Sequence, residues 1–186
     1  MKRPAVFLDR DGVINRVRLR AGTPCPPASL QDLQILPGVA EALRGLKAHG
    51  YLLVVVTNQP DVARGSATRE SVEGIHDRIR TELCLDVILT CFHDSSDNCE
   101  CRKPRPGLLL QAARDFDLDL AASFMIGDRW KDVEAGKRAG CTTFYIDAGY
   151  GERGPAACDY RVSSLPEAAG IVLGLSTGSA ELREAR

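Results

Sequence analysis

Five short apolar runs alternate with segments of helical periodicity along this chain, and no other feature constrains its fold as strongly. The runs lie at residues 5–8, 51–57, 86–91, 123–127 and 142–146. Between them, residues 37–50, 68–83, 106–118 and 129–140 space their apolar side chains as amphipathic helices do. The alternation predicts an α/β fold, a Rossmann-like domain whose central, mainly parallel sheet is covered by helices.

The length of 186 residues suits one such domain and is short for two. We therefore predict a single domain over residues 1–175, followed by a flexible, solvated tail at 176–186. The segment at 15–37, which contains Pro24, Pro26 and Pro27, is predicted to be the longest irregular insertion.

The charge balance and the cysteine content indicate where the protein acts. The 24 Lys and Arg residues nearly balance 25 Asp and Glu residues, so no charge excess favours nucleic acid or an anionic membrane as a partner. The first apolar run is too short for a signal peptide, and no later run reaches the length of a membrane span. Seven cysteines in such a chain indicate reduced thiols. We expect a cytoplasmic monomer that binds a small molecule.

Carboxylates follow two of the predicted strands, at the sheet edge where parallel sheets bind ligands. Asp9 and Asp11 follow the first strand, and their spacing of two places them on the same side of an extended chain. Asp128 follows the fourth strand and can complete a magnesium site with Asp9 and the main-chain carbonyl of Asp11. Taken alone, the Asp pair is equally consistent with a solvated turn.

Groups that can bind phosphate follow two other strands. Thr57 and Asn58 end the second strand and can donate hydrogen bonds to phosphate oxygens. Arg102 and Lys103 follow the third strand through a polar loop and supply positive charge. Singly, these residues are also consistent with a helix cap, a turn or surface charge.

The motifs DRDGV, TNQ, RKP and GDRWKD occur in this order within residues 5–140 and resemble those of the haloacid dehalogenase-like phosphatases. The resemblance implies that Asp9 is the nucleophile that attacks phosphorus and that Asp11 is the general acid and base. It implies a catalytic Mg²⁺ held by Asp9, the Asp11 carbonyl and Asp128. Thr57 and Lys103 are assigned to the transferring phosphoryl group, which agrees with the charge neutralisation that phosphoryl transfer requires.

A cysteine-rich loop at 91–101 predicts a second metal site. Cys91, His93, Cys99 and Cys101 form two closely spaced pairs there. Three thiolates and one imidazole suit a tetrahedral zinc ion with no open position, which would be structural. The alternative is that the cysteines are small buried apolar residues, but Phe92 is the only large apolar residue in the loop and cannot form a core.

The loop runs directly into CRKPRPG, and this combination resembles subfamily IIIA of the superfamily, which holds D-glycero-D-manno-heptose 1,7-bisphosphate 7-phosphatases and histidinol-phosphate phosphatases. The resemblance implies a compact enzyme without a large cap domain, in which Arg102 and Lys103 help to hold the substrate. We expect removal of the 7-phosphate from the heptose bisphosphate. Histidinol phosphate or another sugar phosphate is the alternative substrate.

Three departures from the subfamily pattern leave the substrate open. Pro60 and Asp61 replace Ser and Gly of the expected NQSGIARG, the metal loop is shortened between His93 and Cys99, and the segment after Asn15 lacks the usual tyrosine-valine pair.

Other signals are weaker. Residues 149–154, GYGERG, fit a dinucleotide-binding pattern but are predicted to form a loop, because Pro155 follows and no helix opens there. His49 and His76 are predicted to be surface residues. Two other classes of protein stay open: a phospho-accepting receiver domain that switches without turnover, and a zinc-stabilised binding protein that has lost the chemistry.

Overall fold

A computed structural model describes residues 2–20, 22–151 and 153–184. The elements of these residues are, in chain order, β1 Ala5–Leu8, β2 Arg18–Arg20, β3 Thr23–Cys25, α1 Val39–Ala48, β4 Leu52–Asn58, α2 Arg69–Glu82, β5 Val87–Cys91, α3 Gly107–Asp115, β6 Phe124–Gly127, α4 Trp130–Ala139, β7 Thr142–Ile146, β8 Tyr160–Val162 and α5 Leu165–Glu184. Short 3₁₀ turns lie at Leu30–Asp32 and Ser95–Asp97.

Six strands form a sheet in the order β5-β4-β1-β6-β7-β8, and every neighbouring pair is parallel. The predicted parallel α/β architecture is therefore confirmed. The chain moves from β1 to β4 and β5 on one side, and later adds β6, β7 and β8 on the other. This reversal creates a crevice at the carboxyl end of β1, where ligands bind in open α/β sheets.

Helices cover both faces of the sheet because alternate strand residues point to opposite sides. Val6 and Leu8 of β1 pack in one apolar cluster with α1, α2 and α5, and Ala5 and Phe7 pack in another with α3 and α4. All four residues are fully buried. Burial of each large side chain contributes roughly 1.5–3 kcal/mol, so β1 is firmly anchored and fixes the position of Asp9.

Three parts of the chain differ from the prediction. Residues 15–37 were predicted to be irregular, but β2 and β3 within them form an antiparallel two-stranded ribbon. Neither β8 nor α5 was predicted. The backbone of residues 176–184 continues α5, and the Ser176 hydroxyl lies 2.5 Å from that of Tyr51; residues 185–186 of the predicted flexible tail lie outside the described residues. In the described part of the chain, no helix combines the length and apolar character needed to cross a bilayer.

Candidate active site

Lys103 lies at the centre of the crevice beside β1, with 2% of its side chain exposed. Its Nζ is 2.8 Å from Asp9 Oδ1 and 2.6 Å from Asp132 Oδ1. Burial acts to lower the pKa of Lys103, but the carboxylates of Asp132 and Asp9 outweigh it and raise that pKa above its ordinary value. The ammonium group is therefore fully charged at neutral pH.

Asp9 directly follows β1, and its N–H donates to the Ile126 carbonyl across the sheet at 3.0 Å. Burial raises the pKa of Asp9 to about 6, although Lys103 acts to lower it. The carboxylate is thus in an environment with too little positive charge, and a further cation would favour its ionised form.

Asp128 follows β6 and is 1% exposed. Neither of its carboxylate oxygens accepts a well-formed hydrogen bond from the described residues. Burial, and after it the negative charges of Asp9 and Asp132, raise the pKa of Asp128 well above its ordinary value. Oxygens of these three carboxylates all lie within 4.8 Å of one another. Such a buried oxygen cluster fits a hard divalent cation, because the cation compensates both the repulsion and the lost hydration.

Two glycines make room for these carboxylates. A Cβ atom on Gly12 would lie 1.8 Å from Asp128 Oδ2, and the Gly12 φ of +88° is strained for any other residue. A Cβ atom on Gly127 would lie 2.1 Å from the Cβ atom of Asp132. Any larger residue at either position would displace an acidic side chain from the crevice.

Asp11 lines the same cleft as Asp9. Three side chains donate to its carboxylate: Arg10 Nη2 and Gln59 Nε2 to Oδ2, both at 2.8 Å, and Asn15 Nδ2 to Oδ1 at 2.9 Å. The Asp11 side chain is thus held in one orientation. Gln59 Nε2 also donates to Thr57 Oγ1 at 3.0 Å, so one amide connects Asp11 with the end of β4.

Thr57 and Asn58 have different surroundings at the end of β4. Thr57 Oγ1 accepts from Gln59, so its hydroxyl hydrogen is left to donate into the cleft that it lines. The Asn58 amide bonds to the main chain of Lys103, with Nδ2 donating to the carbonyl and Oδ1 accepting from the N–H, both at 3.1 Å. The Asn58 amide thus positions Lys103, and Asn58 also lines the cleft, so its predicted role as a donor to phosphate stays a prediction.

The cleft has a volume of about 260 Å³, which suits a small metabolite. Its wall includes Arg102, whose Nη1 donates to the His93 carbonyl at 3.1 Å, and three further cations, Arg64, Arg129 and Lys131. Pro24, in β3 of the ribbon, also lines the cleft, so the ribbon borders the site.

The four residues predicted to bind zinc come together. Cys101 Sγ lies 3.2 Å from Cys91 Sγ, 3.4 Å from Cys99 Sγ and 3.3 Å from His93 Nδ1. Cys91 Sγ lies 3.7 Å from both Cys99 Sγ and His93 Nδ1. In a tetrahedral zinc site with Zn–S bonds of about 2.3 Å, two sulfur ligands lie about 3.8 Å apart. The described cysteines form no disulfide, and the cluster can hold one metal ion.

Comparison with known proteins places this geometry in a family. Residues 26–140 match the model of the haloacid dehalogenase-like hydrolases. The chain belongs to the haloacid dehalogenase-like hydrolases. A Rhodopseudomonas palustris member of the family is 39% identical over 78% of this chain and 84% of its own length, and a Yersinia pestis member is 36% identical over 88% and 92%. Both are named D-glycero-beta-D-manno-heptose-1,7-bisphosphate 7-phosphatase.

Solved structures of this hydrolase family have the same architecture. D,D-heptose 1,7-bisphosphate phosphatase from B. bronchiseptica, complexed with magnesium and phosphate, gives a TM-score of 0.76 at 29% identity and covers 92% of this chain and 98% of its own. A putative phosphatase from Mesorhizobium loti gives a TM-score of 0.74 at 28% identity, with 92% and 86% covered.

Sequence reasoning missed four residues of this hydrolase site. The prediction of His76 as a surface residue is wrong, because the residue is fully buried and contacts Arg10. Asp132 and Gln59 lie within the motifs GDRWKD and TNQ but received no role. Tyr150 belongs to the GYGERG segment, which lies outside any helix or strand in its described residues. Burial and the adjacent Asp128 carboxylate raise the pKa of Tyr150 above its ordinary value, so its hydroxyl is protonated beside Asp128.

Proposed function

We propose that this chain is a magnesium-dependent phosphatase that removes the 7-phosphate of D-glycero-D-manno-heptose 1,7-bisphosphate through an aspartyl-phosphate intermediate. One observation carries the chemistry: a buried ammonium group, Lys103 Nζ, contacts Asp9 in a crevice where the buried Asp128 carboxylate makes no well-formed hydrogen bond with the described residues, although the Tyr150 hydroxyl lies beside it. Positive charge for a phosphoryl group thus lies beside a nucleophilic carboxylate and a site for a cation.

Asp9, on the firmly packed end of β1, attacks phosphorus and becomes phosphorylated. Asp11 gives a proton to the departing sugar oxygen and later takes one from the water that hydrolyses the aspartyl phosphate. Lys103 neutralises the charge of the phosphoryl oxygens, and Thr57 donates a hydrogen bond to them. Arg102 binds the substrate at the cleft wall, and Asn58 holds the main chain of Lys103.

Asp9, Asp128 and the Asp11 carbonyl would hold Mg²⁺, with Asp132 at the edge of the cluster. The Asp128 oxygens, which make no well-formed hydrogen bond with the described residues, and the space kept by Gly12 support this assignment. When bound, the ion supplies charge neutralisation to the carboxylates and to the phosphate oxygens.

Zinc in the Cys91, His93, Cys99 and Cys101 cluster would be structural, because four protein ligands leave no open position. Arg102 next to this cluster donates to the carbonyl of His93. We therefore assign to the zinc ion the task of fixing the segment that carries Arg102 and Lys103.

The substrate assignment rests on the relatives, whose names specify heptose bisphosphate and which match most of the chain. We further propose a monomer in the cytoplasm, with neither nucleic acid nor membrane as a partner. The formal charge of −1 argues against the latter two partners, and the absence of disulfides among the described cysteines supports the cytoplasm.

Phosphate release with Mg²⁺ tests the function across both anomers of the heptose bisphosphate, histidinol phosphate and several sugar monophosphates. We expect turnover with the bisphosphate to have the highest kcat/KM and the Asp9→Asn variant to be inactive on all of them. Preference for histidinol phosphate would overturn the substrate assignment. Undiminished turnover by Asp9→Asn would overturn the proposed chemistry.

A further inference from the structure

A buried chain of hydrogen bonds connects the surface of α2 with Asp11. Arg10, between Asp9 and Asp11 in sequence, is fully buried. Its Nη2 donates to both oxygens of Asp11, at 3.0 Å to Oδ1 and 2.8 Å to Oδ2, and its Nε donates to Oδ1 at 3.2 Å. The remaining terminal nitrogen, Nη1, lies 3.0 Å from His76 Nε2. The guanidinium plane is thus fixed by one carboxylate and one imidazole.

The contact with Arg10 also fixes the state of the imidazole. A guanidinium group can only donate hydrogen bonds, so His76 Nε2 must accept and carry no proton. The hydrogen of the neutral ring is therefore on Nδ1, which lies 3.4 Å from Glu73 Oε2 one turn earlier on α2. Burial, followed by the charge of Arg10, lowers the pKa of His76 to about 4, which agrees with a neutral ring.

We propose that His76 is a positioning residue that acts through Arg10 to hold the Asp11 carboxylate in the orientation needed for proton transfer. This inference rests on the proposed role of Asp11 as general acid and base. Without an acceptor at Nε2, Arg10 would have an unsatisfied donor in a dry interior and would turn towards other partners. Asp11 would move with it, because the guanidinium group makes three of the contacts that orient this carboxylate.

The choice of substrate separates this role from a merely structural one. An alkyl phosphate needs a proton on its leaving oxygen, whereas p-nitrophenolate leaves without one. Both substrates need a base to hydrolyse the aspartyl phosphate. A misplaced Asp11 should therefore slow the first step with the alkyl ester only, and the second step with both.

The test compares His76→Gln, whose longer amide can reach the Nε2 position and accept from Arg10, with His76→Asn and His76→Leu, which leave Arg10 without that acceptor. We expect His76→Gln to stay within about threefold of wild type, and the other two to lose roughly ten- to a hundredfold in kcat on the alkyl phosphate, with little change in KM. With p-nitrophenyl phosphate, the Asn and Leu variants should release a burst of nitrophenolate close to one per enzyme and then turn over slowly.

Ile75→Ala is the matched control, since Ile75 is a buried neighbour on α2 that packs in the apolar cluster and has no polar atom to bond with Arg10. It should lower the melting temperature without producing a burst. Three results would overturn the proposal for His76. The first is a His76→Asn variant whose first step slows equally with the alkyl phosphate and with p-nitrophenyl phosphate; the others are wild-type kinetics in that variant and a burst in Ile75→Ala. Absence of turnover in the wild-type protein would instead overturn the phosphatase assignment.

Discussion

Replacement of Asp128 by Asn should stabilise the protein without magnesium and destabilise it relative to wild type when magnesium is present. Without magnesium, Asp128 is a buried carboxylate that has the Tyr150 hydroxyl beside it but makes no well-formed hydrogen bond with the described residues, and it repels Asp9 and Asp132. Asn has the same shape and carries no charge. Its NH2 group can donate hydrogen bonds to the two neighbouring carboxylates. With magnesium, wild type gains a ligand that the variant has lost.

The size of the stabilisation without magnesium and of the gain with magnesium follows from the burial of Asp128 and from general magnitudes. A buried unsatisfied polar group costs about 1–3 kcal/mol, and a charged one more, so removal of the charge should contribute about 2 kcal/mol. In a domain of this size, 1 kcal/mol shifts the melting temperature by about 2–4 °C. We therefore expect Asp128→Asn to melt about 4–8 °C above wild type without magnesium. At a magnesium concentration of about 100 Kd, wild type gains about 2.7 kcal/mol and overtakes the variant.

Differential scanning fluorimetry at pH 8.5 measures the melting temperatures of wild type and variant with and without magnesium. The buffer contains no chelator, so that the cysteine cluster keeps its metal. Asp132→Asn is the matched control, because it is an equally isosteric change four residues away that removes an ion pair to Lys103 at 2.6 Å. Breaking such a buried pair costs about 3 kcal/mol, so this variant should melt lower in both buffers. A lower melting temperature for Asp128→Asn without magnesium would refute the reasoning.

The stability of Asp128→Asn relative to wild type should depend on pH, and the sign of that dependence follows from the pKa of Asp128. The pKa of Asp128 is raised in the folded state above its ordinary value of 3.8, so its ionisation opposes folding. This destabilisation is full at a pH above the folded-state pKa and disappears as the pH falls towards 3.8. The advantage of Asp128→Asn without magnesium should therefore shrink on acidification, as melting curves between pH 8.5 and 5 will show.

Three further predictions concern other parts of the molecule. Lys103→Met should lower kcat at least about a hundredfold, because the charge that faces the phosphoryl group is lost; phosphate-release kinetics check this, and a change confined to KM would contradict it. Cys99→Ser should lose its bound zinc, whereas Cys84→Ser, outside the cluster, should keep one equivalent; elemental analysis of the purified variants decides between these outcomes. The pKa of His76 falls from 6.5 to about 4 on folding, so stability should be lost as the pH drops from 6.5 towards 4; denaturant unfolding across that range should show a smaller loss in His76→Gln, and an equal loss would argue against the buried neutral ring.

The main layers of the fold could be predicted because its strands are buried on both faces. Such strands are continuous apolar runs, and the helices between them repeat their apolar residues with helical spacing, as Leu108, Leu109 and Ala112 do on α3. The ribbon could not be predicted in this way. Its strands RLR and TPC have three residues each, and the side chains of β2 are exposed, so neither strand has an apolar pattern.

Asp9, Asp128 and Lys103 could be predicted as site residues because each follows a strand, and parallel strands end at one edge of a sheet. Side-chain direction was the information that sequence lacked. Asp132 could equally have faced solvent from the first turn of α4. The close packing of α4 on Gly127 and the contacts of its carboxylate with Lys103 and the Arg129 N–H hold it inward. Nothing in the sequence indicated that the Asn58 amide would bond to the main chain of Lys103.

The error at His76 was avoidable. Val72, Ile75 and Ile79 form the buried stripe of α2, and position 76 lies within that stripe at helical spacing. A polar residue on a buried face needs a partner. That partner, Arg10, is distant in sequence, but a buried histidine was already predictable from the periodicity.

Identification of the phosphorylated residue tests the central claim most directly. In Asp11→Asn with p-nitrophenyl phosphate, whose leaving group needs no proton, loss of the general base should slow only hydrolysis of the aspartyl phosphate, so that rapid acid quenching during turnover traps it. Peptide mass spectrometry should then find the added phosphate on Asp9. Phosphate on any other residue, or a quenched enzyme that carries none while Asp9→Asn still turns over, would contradict the account.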